Sequence, residues 1–302
     1  MAALDIKDAS LEVPQHTSFS IKNLPGQRLG ARAWYCYLCA FLDEAMQFEF
    51  CSVQPCLART QECAILIHVD DIMCVGSLKF WNEFKEKLQQ RFTISCSVSE
   101  GVGTKISCLK RRILRVEDGL ALLPGSSIGK LIKVWKEKFG KLRSSTTPAD
   151  PGIQMEDNSP CLVGSDVTFF RMAVGTCLYI THDRPGVDFT VKELSSYMSN
   201  PTVSAMRHLK KLVSYLEETS HYAVVLQQPH GGQGLHKQTN DNYWLLESFS
   251  DSDWSSDKRH QRSTSSGLHM FCGNLVYSSS RTQRTISLSS CEAELHGMVS
   301  TL

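Results

Sequence analysis

Two adjacent aspartates, Asp70 and Asp71, lie in the most apolar stretch of the chain, residues 64–76. Burying neighbouring carboxylates is costly unless a metal, a proton or a partner charge compensates them. The apolar runs on either side predict two short strands with the acids at the turn between them. Such a hairpin can hold a divalent cation. Because Asp is also common in plain surface turns, this segment alone leaves both interpretations open.

A second set of acids lies near the end of the sequence. A strand pattern over residues 243–250 ends at Asp251, and Ser289 with Glu292 has the spacing of a capping box that begins a helix. Glu294 follows two residues later and points away from that cap. An acid at a strand end opposite an acid on a first helical turn is a plausible metal pair. The alternative for each is simple solvent exposure.

Basic residues are concentrated on two predicted helices. The first, over residues 128–143, carries Lys130, Lys133 and Lys136, and the second carries Arg207 and Lys210. Lysine and arginine at this density can follow a phosphate backbone. The alternative is a solvated helix face.

Composition restricts the class of protein only loosely. The chain has 302 residues, 42% hydrophobic and 21% charged, which is ordinary for a globular protein, and its net charge is +1. The sequence has no apolar run of membrane-spanning length and no signal-peptide pattern, which predicts a cytoplasmic or nuclear protein.

Cysteine is abundant, with twelve scattered along the chain. We expect reduced, mostly buried thiols. Cys36, Cys39, Cys51 and Cys56 could form a zinc site in principle, but the apolar helical pattern around the first pair favours core thiols.

The elements that must position these residues fall into four predicted segments. They are a loose tail over 1–20, a unit over 21–125 that contains the Asp70–Asp71 hairpin, a helical unit over 126–225, and a last unit over 240–302. Helices are predicted at 31–48, after Ser77, and at 128–143, 166–182 and 188–217, the last interrupted at Pro201.

Several segments resemble copia-type retrotransposon polyproteins, in the same order and from about Leu24 onwards. Residues 249–254, 262–265 and 288–294 resemble the ribonuclease H domain, and residues 32–35 and 69–71 resemble the reverse transcriptase. Residues 170–175, 183–185 and 197–202 resemble the region that connects them.

The resemblance implies an α+β fold, with a partial reverse transcriptase palm and thumb followed by a truncated ribonuclease H-like α/β unit. It implies that Asp70 and Asp71 bind Mg²⁺ for polymerisation. Asp251 and Glu294 would bind it for RNA cleavage, with Asp253 as a further candidate. It also implies an RNA/DNA template–primer or RNA–DNA hybrid as partner. The lack of a membrane-spanning apolar run predicts no membrane partner.

Both metal sites depart from the family pattern. A third palm acid should lie on a strand before Leu24, where Asp5 and Asp8 belong to no recognised motif, and a third ribonuclease H acid should follow Leu302. We therefore expect a fragment or degenerate copy that is inactive alone. The alternatives are a non-catalytic nucleic-acid-binding remnant and a mispredicted piece of an intact polyprotein.

Overall fold

A computed structural model describes residues 1–7, 30–109, 111–151, 153, 157–227, 245–258 and 260–301. The fold is α+β. The chain forms two compact units, Met1–Glu117 and Asp118–Leu302.

The first unit is a six-stranded sheet with two helices and a separate hairpin. The sheet has the strand order β2-β3-β4-β5-β1-β6. The elements are β1 (Ala2–Ile6), α1 (Gly30–Met46), β2 (Glu49–Phe50), β3 (Leu57–Arg59), β4 (Cys63–His68), β5 (Asp71–Gly76), α2 (Leu78–Arg91), β6 (Ile94–Val98), β7 (Lys105–Cys108) and β8 (Arg111–Val116).

The core of this unit forms where one face of each helix packs on the sheet. Trp34, Leu38 and Leu42 recur every four residues on α1 and are buried, as this helical spacing requires. Phe84 and Leu88 do the same on α2. The Ser77 hydroxyl accepts the Phe80 N–H at 3.2 Å and caps α2, which confirms the predicted helix start.

Strand β1 contradicts the predicted loose tail for Ala2–Ile6. It lies between β5 and β6 and pairs antiparallel with both. Leu4 and Ile6 are buried in the core. Five residues are too few for a clear alternating pattern, and this strand depends on partners about 70 and 90 residues away in sequence. The rest of the predicted tail lies outside the described residues.

The second unit combines a helical bundle with two small antiparallel sheets. Its elements are β9 (Gly119–Leu123), α3 (Ser126–Phe139), α4 (Ser165–Ile180), α5 (Asp188–Ser195), α6 (Val203–Glu218), β10 (Val224–Gln227), β11 (Leu246–Asp257), β12 (Arg262–Phe271), β13 (Asn274–Thr282) and α7 (Ser290–Thr301). Strand β9 pairs with β10, and β11, β12 and β13 form a meander.

Arg184 joins two parts of the bundle. Its guanidinium is buried and donates to the carbonyl and the hydroxyl of Thr219, the residue that ends α6, at 2.9 and 2.6 Å. The same group lies over the rings of Tyr215 and Tyr222. A buried cation is tolerated when hydrogen bonds and aromatic faces replace its water, so Arg184 has a structural role here.

The three-stranded sheet is covered on both faces. Helix α7 packs closely on one face, because a Cβ on Gly297 would lie 3.4 Å from the Ser252 Cβ, and one on Gly267 would lie 2.9 Å from the Thr301 hydroxyl. Helix α5 contacts the other face, where Lys192 Nζ donates to the Thr264 hydroxyl at 2.8 Å.

The cysteines do not follow the predicted burial. All described cysteines are free thiols, but Cys36 and Cys51 are exposed and Cys39 and Cys56 are partly exposed. The interpretation of these four as core thiols is therefore wrong. Helix α1 buries its Trp34–Leu38–Leu42 face, and Cys36 lies on another side of the helix.

Candidate functional site

The turn that carries Asp70 and Asp71 is held in an unusual backbone conformation. Val69 has φ = +57°, in the left-handed region that β-branched residues avoid. The indole Nε1 of Trp34 on α1 donates to the Val69 carbonyl at 2.7 Å. The Ile6 N–H donates to the Asp70 carbonyl at 3.0 Å. Hydrogen bonds from a helix and from β1 thus fix the turn on both sides.

A third acid lies next to this turn. In the antiparallel register of β1 and β5, Asp5 stands directly opposite Asp71, so that their side chains share one face of the sheet. Asp5, Asp70 and Asp71 are all half-buried. The expectation that no strand with an acid precedes Leu24 is wrong, since β1 is such a strand. A signal was present in the sequence, because Asp5 interrupts the short apolar run Ala2–Ile6.

Electrostatics couple the three acids. Partial burial raises the pKa of the Asp71 carboxyl, and the nearby charges of Asp70 and Asp5 raise this pKa further, while His68 opposes them. Like charges held at one place favour the binding of a cation or a proton.

The donor set suits a hard cation, because Mg²⁺ prefers carboxylate oxygens. Within the described ranges, however, no group of three or more His, Cys, Asp or Glu side chains has the geometry of a metal cage. Asp5, Asp70 and Asp71 therefore fit a Mg²⁺ ion by their chemistry and require further ligands or a rearrangement to enclose it.

The predicted ribonuclease H acids lie on different faces of the three-stranded sheet. Ser252 contacts α7, which carries Glu294. Side chains alternate along a strand, so Asp251 and Asp253 point to the opposite face. A cavity of about 380 Å³ on that face is lined by Asp251, Asp253 and Asp188 of α5. The structure thus does not bring Asp251 and Glu294 to one face.

The Asp253 carboxylate accepts hydrogen bonds within its own sheet. Its Oδ1 accepts the Thr264 N–H at 2.5 Å, and its Oδ2 accepts the Ser256 hydroxyl. These bonds lie where the pairing of β11 with β12 is irregular, between Asp253 and Asp257. The carboxylate therefore replaces ladder hydrogen bonds that the irregularity removes.

The predicted basic residues separate into two groups. On α3, Lys130 is exposed, Lys133 lies 3.9 Å from Glu137, and Lys136 pairs with Glu217 of α6. Arg207 and Lys210 line a cavity of about 540 Å³, together with Arg143, Lys211 and Asp150. Asp150 pairs with Lys211.

The remaining cations of this cavity form the candidate anion site. Among the residues that the structure describes, Arg143, Arg207 and Lys210 have no carboxylate partner. We call these three residues the basic cluster.

Comparisons with known proteins place the chain among retrotransposon polyproteins. Over 289 residues, or 93% of this chain, it is 27% identical to the retrovirus-related Pol polyprotein from transposon RE1 of Arabidopsis thaliana. It is 25% identical to that from transposon RE2 of the same plant over the same length. Homologues of this chain are therefore copia-type retrovirus-related Pol polyproteins. No family model matches it.

The chain corresponds to a segment of these Pol polyproteins, since it spans 18% of the length of each of the two. The fold agrees with this assignment. A foamy viral protease-reverse transcriptase, solved in complex with an RNA/DNA hybrid, matches 99% of the chain and 36% of its own length, with a TM-score of 0.58 and 13% identity. Among the described residues, no helix has the length and apolar character needed to cross a bilayer.

Proposed function

We propose that this chain is the palm-to-ribonuclease-H segment of an RNA-directed DNA polymerase, and that Asp5, Asp70 and Asp71 are its polymerase acids. The observation that carries the proposal is the register of β1 with β5, in which Asp5 stands opposite Asp71 beside the Asp70 turn. Acids from two adjacent strands then lie next to each other, and the contribution of Asp70 and Asp5 to the raised pKa of Asp71 supports their proximity.

The three carboxylates would hold Mg²⁺ together with the phosphates of an incoming nucleotide. When bound, the metal neutralises phosphate charge and activates the primer hydroxyl. The residues of the chain itself would position the carboxylates. The Trp34 bond to the Val69 carbonyl fixes the turn, and β1 sets Asp5 beside Asp71. Fixed carboxylates require less reorganisation as charge develops in the reaction.

With Asp5 proposed as the third palm acid, a missing palm acid is no longer a reason to expect an inactive polymerase. For ribonuclease H the expectation of inactivity remains. Asp251 points to the α5 face of its sheet, whereas Glu294 belongs to α7 on the other face. Two acids on opposite faces cannot share a pair of metal ions. We propose that this segment does not cleave the RNA of a hybrid.

An RNA/DNA template–primer is the proposed partner. The basic cluster, Arg143, Arg207 and Lys210, supports this proposal, because unpaired cations at the rim of one cavity suit consecutive phosphates. Lys130 is a further candidate contact. Lys133 and Lys136 are weaker candidates, since each has a glutamate partner.

Primer extension on a primed RNA template in Mg²⁺ tests the polymerase proposal. We expect the wild-type chain to extend the primer and Asp5→Asn and Asp70→Asn to slow extension at least about 100-fold, because each loses a charge that holds the metal. Asp43→Asn, at an exposed aspartate on α1, is the matched control and should extend normally. Absence of extension by the wild type, or full activity of Asp5→Asn, would contradict the proposal.

The same preparations test the ribonuclease H proposal with a labelled RNA strand in a hybrid. We expect intact RNA at Mg²⁺ concentrations that support extension. Cleavage that disappears in Glu294→Gln would show that the two acids do cooperate.

A further inference from the structure

Two cysteines are in direct sulfur contact within the core of the first unit. Cys63 lies on β4 and Cys74 on β5, and their Sγ atoms are 3.3 Å apart. In the register of the hairpin, Cys74 stands opposite Ile65 and Cys63 opposite Gly76, so that the cysteines are diagonal neighbours on one face. Both are at most 5% exposed.

Gly76 allows this arrangement. A Cβ at position 76 would lie 2.9 Å from the Cys63 Cβ and 2.8 Å from the Glu62 carbonyl. The missing side chain thus leaves space for Cys63 beside the hairpin.

Cys74 is reachable in spite of its burial. It lines a cavity of about 150 Å³ whose other walls include Ala2, Trp81 and Val98. This volume can accept a molecule as small as water or hydrogen peroxide.

The two thiols are chemically unequal. The hydrogen bond between the two sulfurs lowers the pKa of the Cys74 thiol and raises that of the Cys63 thiol. A thiolate reacts with peroxides, whereas a thiol does so slowly. Attack therefore begins at Cys74, and Cys63 is positioned to resolve the product.

We propose that Cys63 and Cys74 form a peroxide-reactive dithiol that closes to a disulfide within the β4–β5 hairpin. The proposal stands on the sulfur contact and on the cavity beside Cys74, and it does not depend on the polymerase assignment.

The chemistry balances with hydrogen peroxide as the oxidant. The Cys74 thiolate attacks one oxygen of hydrogen peroxide, and the O–O bond breaks. Cys74 becomes a sulfenic acid, and the leaving hydroxide takes up the proton that the Cys74 thiol had released, which gives the first water. The Cys63 sulfur then attacks the Cys74 sulfur, the S–O bond breaks, and the leaving hydroxide takes the Cys63 proton. The net reaction converts two thiols and one peroxide into a disulfide and two waters.

Mass spectrometry of the oxidised full-length chain tests the proposal directly. Trypsin releases Thr60–Lys79, a peptide whose two cysteines are Cys63 and Cys74. After peroxide, unfolding and alkylation, we expect this peptide to lack both alkyl groups and to be lighter by two hydrogens. The disulfide should form faster in the native chain than in the chain unfolded in urea, since contact between the sulfurs is a property of the fold.

Two variants assign the roles. Cys63→Ser should accumulate a Cys74 sulfenic acid that dimedone traps, whereas Cys74→Ser should leave Cys63 open to alkylation. Cys177, which is buried in the other unit, is the internal control and should stay reduced. The proposal would be overturned if both cysteines of the oxidised wild type were completely alkylated, or if the disulfide formed at equal rates in native and urea-unfolded chains. Both results come from the wild type, so they hold even if a variant fails to fold.

Discussion

Asp71 is a proposed metal ligand whose ionised form carries an electrostatic penalty. Burial and the charges of Asp70 and Asp5 raise its pKa in the folded chain. The folded state therefore binds this proton more tightly than the unfolded state does. The resulting stabilisation is present at acid pH and is lost as the pH rises through the folded-state pKa.

Asp71→Asn should therefore stabilise the chain at neutral pH. We expect a higher melting temperature than that of the wild type at pH 7, and a difference that shrinks towards about pH 3, where the wild-type carboxyl is protonated as well. Thermal unfolding across this pH range is the measurement. Asp43→Asn controls for the loss of one surface charge, and equal melting temperatures at pH 7 would refute the repulsion.

Magnesium should stabilise the wild type and the Asp71→Asn variant to different extents. A cation that binds the folded site stabilises it by mass action. Millimolar Mg²⁺ should consequently raise the melting temperature of the wild type more than that of Asp71→Asn.

Among the elements, α1 determines the shape of the acid-bearing turn through one hydrogen bond. Trp34 packs in the core with its ring edge against Phe92, and its Nε1 reaches the Val69 carbonyl. The backbone at Val69 is strained, and such strain persists only where surrounding contacts impose it.

Trp34→Phe should lower the free energy of unfolding by about 1 kcal/mol beyond the cost of the smaller ring, since one hydrogen bond is lost. Trp135→Phe in α3 is a matched control, because Trp135 is equally buried and its Nε1 has no partner among the described residues. The free energy of unfolding of both variants is measured by denaturant titration. A Trp135→Phe variant as destabilised as Trp34→Phe would indicate that ring volume alone is responsible.

Whether the sequence predicts one of these elements depends on how far apart along the chain its interacting residues lie. The β4–β5 hairpin, the Ser77 cap and the α7 start at Ser289 follow local patterns, and the structure contains all three. The position of β1 and the opposite faces of Asp251 and Glu294 depend on which distant strands and helices meet. No short window of sequence contains that information.

Across the whole molecule, the positive charge that could attract nucleic acid is confined to local patches. The net charge is +1, so any attraction to nucleic acid must come from a patch. The basic cluster, Arg143, Arg207 and Lys210, is the patch with no acid partner among the described residues.

Arg207→Ala and Lys210→Ala should each weaken binding to an RNA–DNA duplex and lower the slope of log K against log salt by about 1. Lys79→Ala is the control, because Lys79 is an exposed lysine on α2 that is not among the candidate contacts. Fluorescence anisotropy between about 50 and 200 mM salt measures the slopes. Unchanged slopes in the first two variants would remove the cluster from the interface.

The position of β1 between β5 and β6 also has a consequence during translation. Its partners end at Gly76 on one side and Val98 on the other, so this apolar strand leaves the ribosome long before either neighbour exists. At about 5–20 residues per second the delay lasts several seconds. During that time Ala2–Ile6 exposes two unpaired edges, the condition in which a strand binds other chains. A holdase chaperone that covers this segment would raise the yield of folded protein.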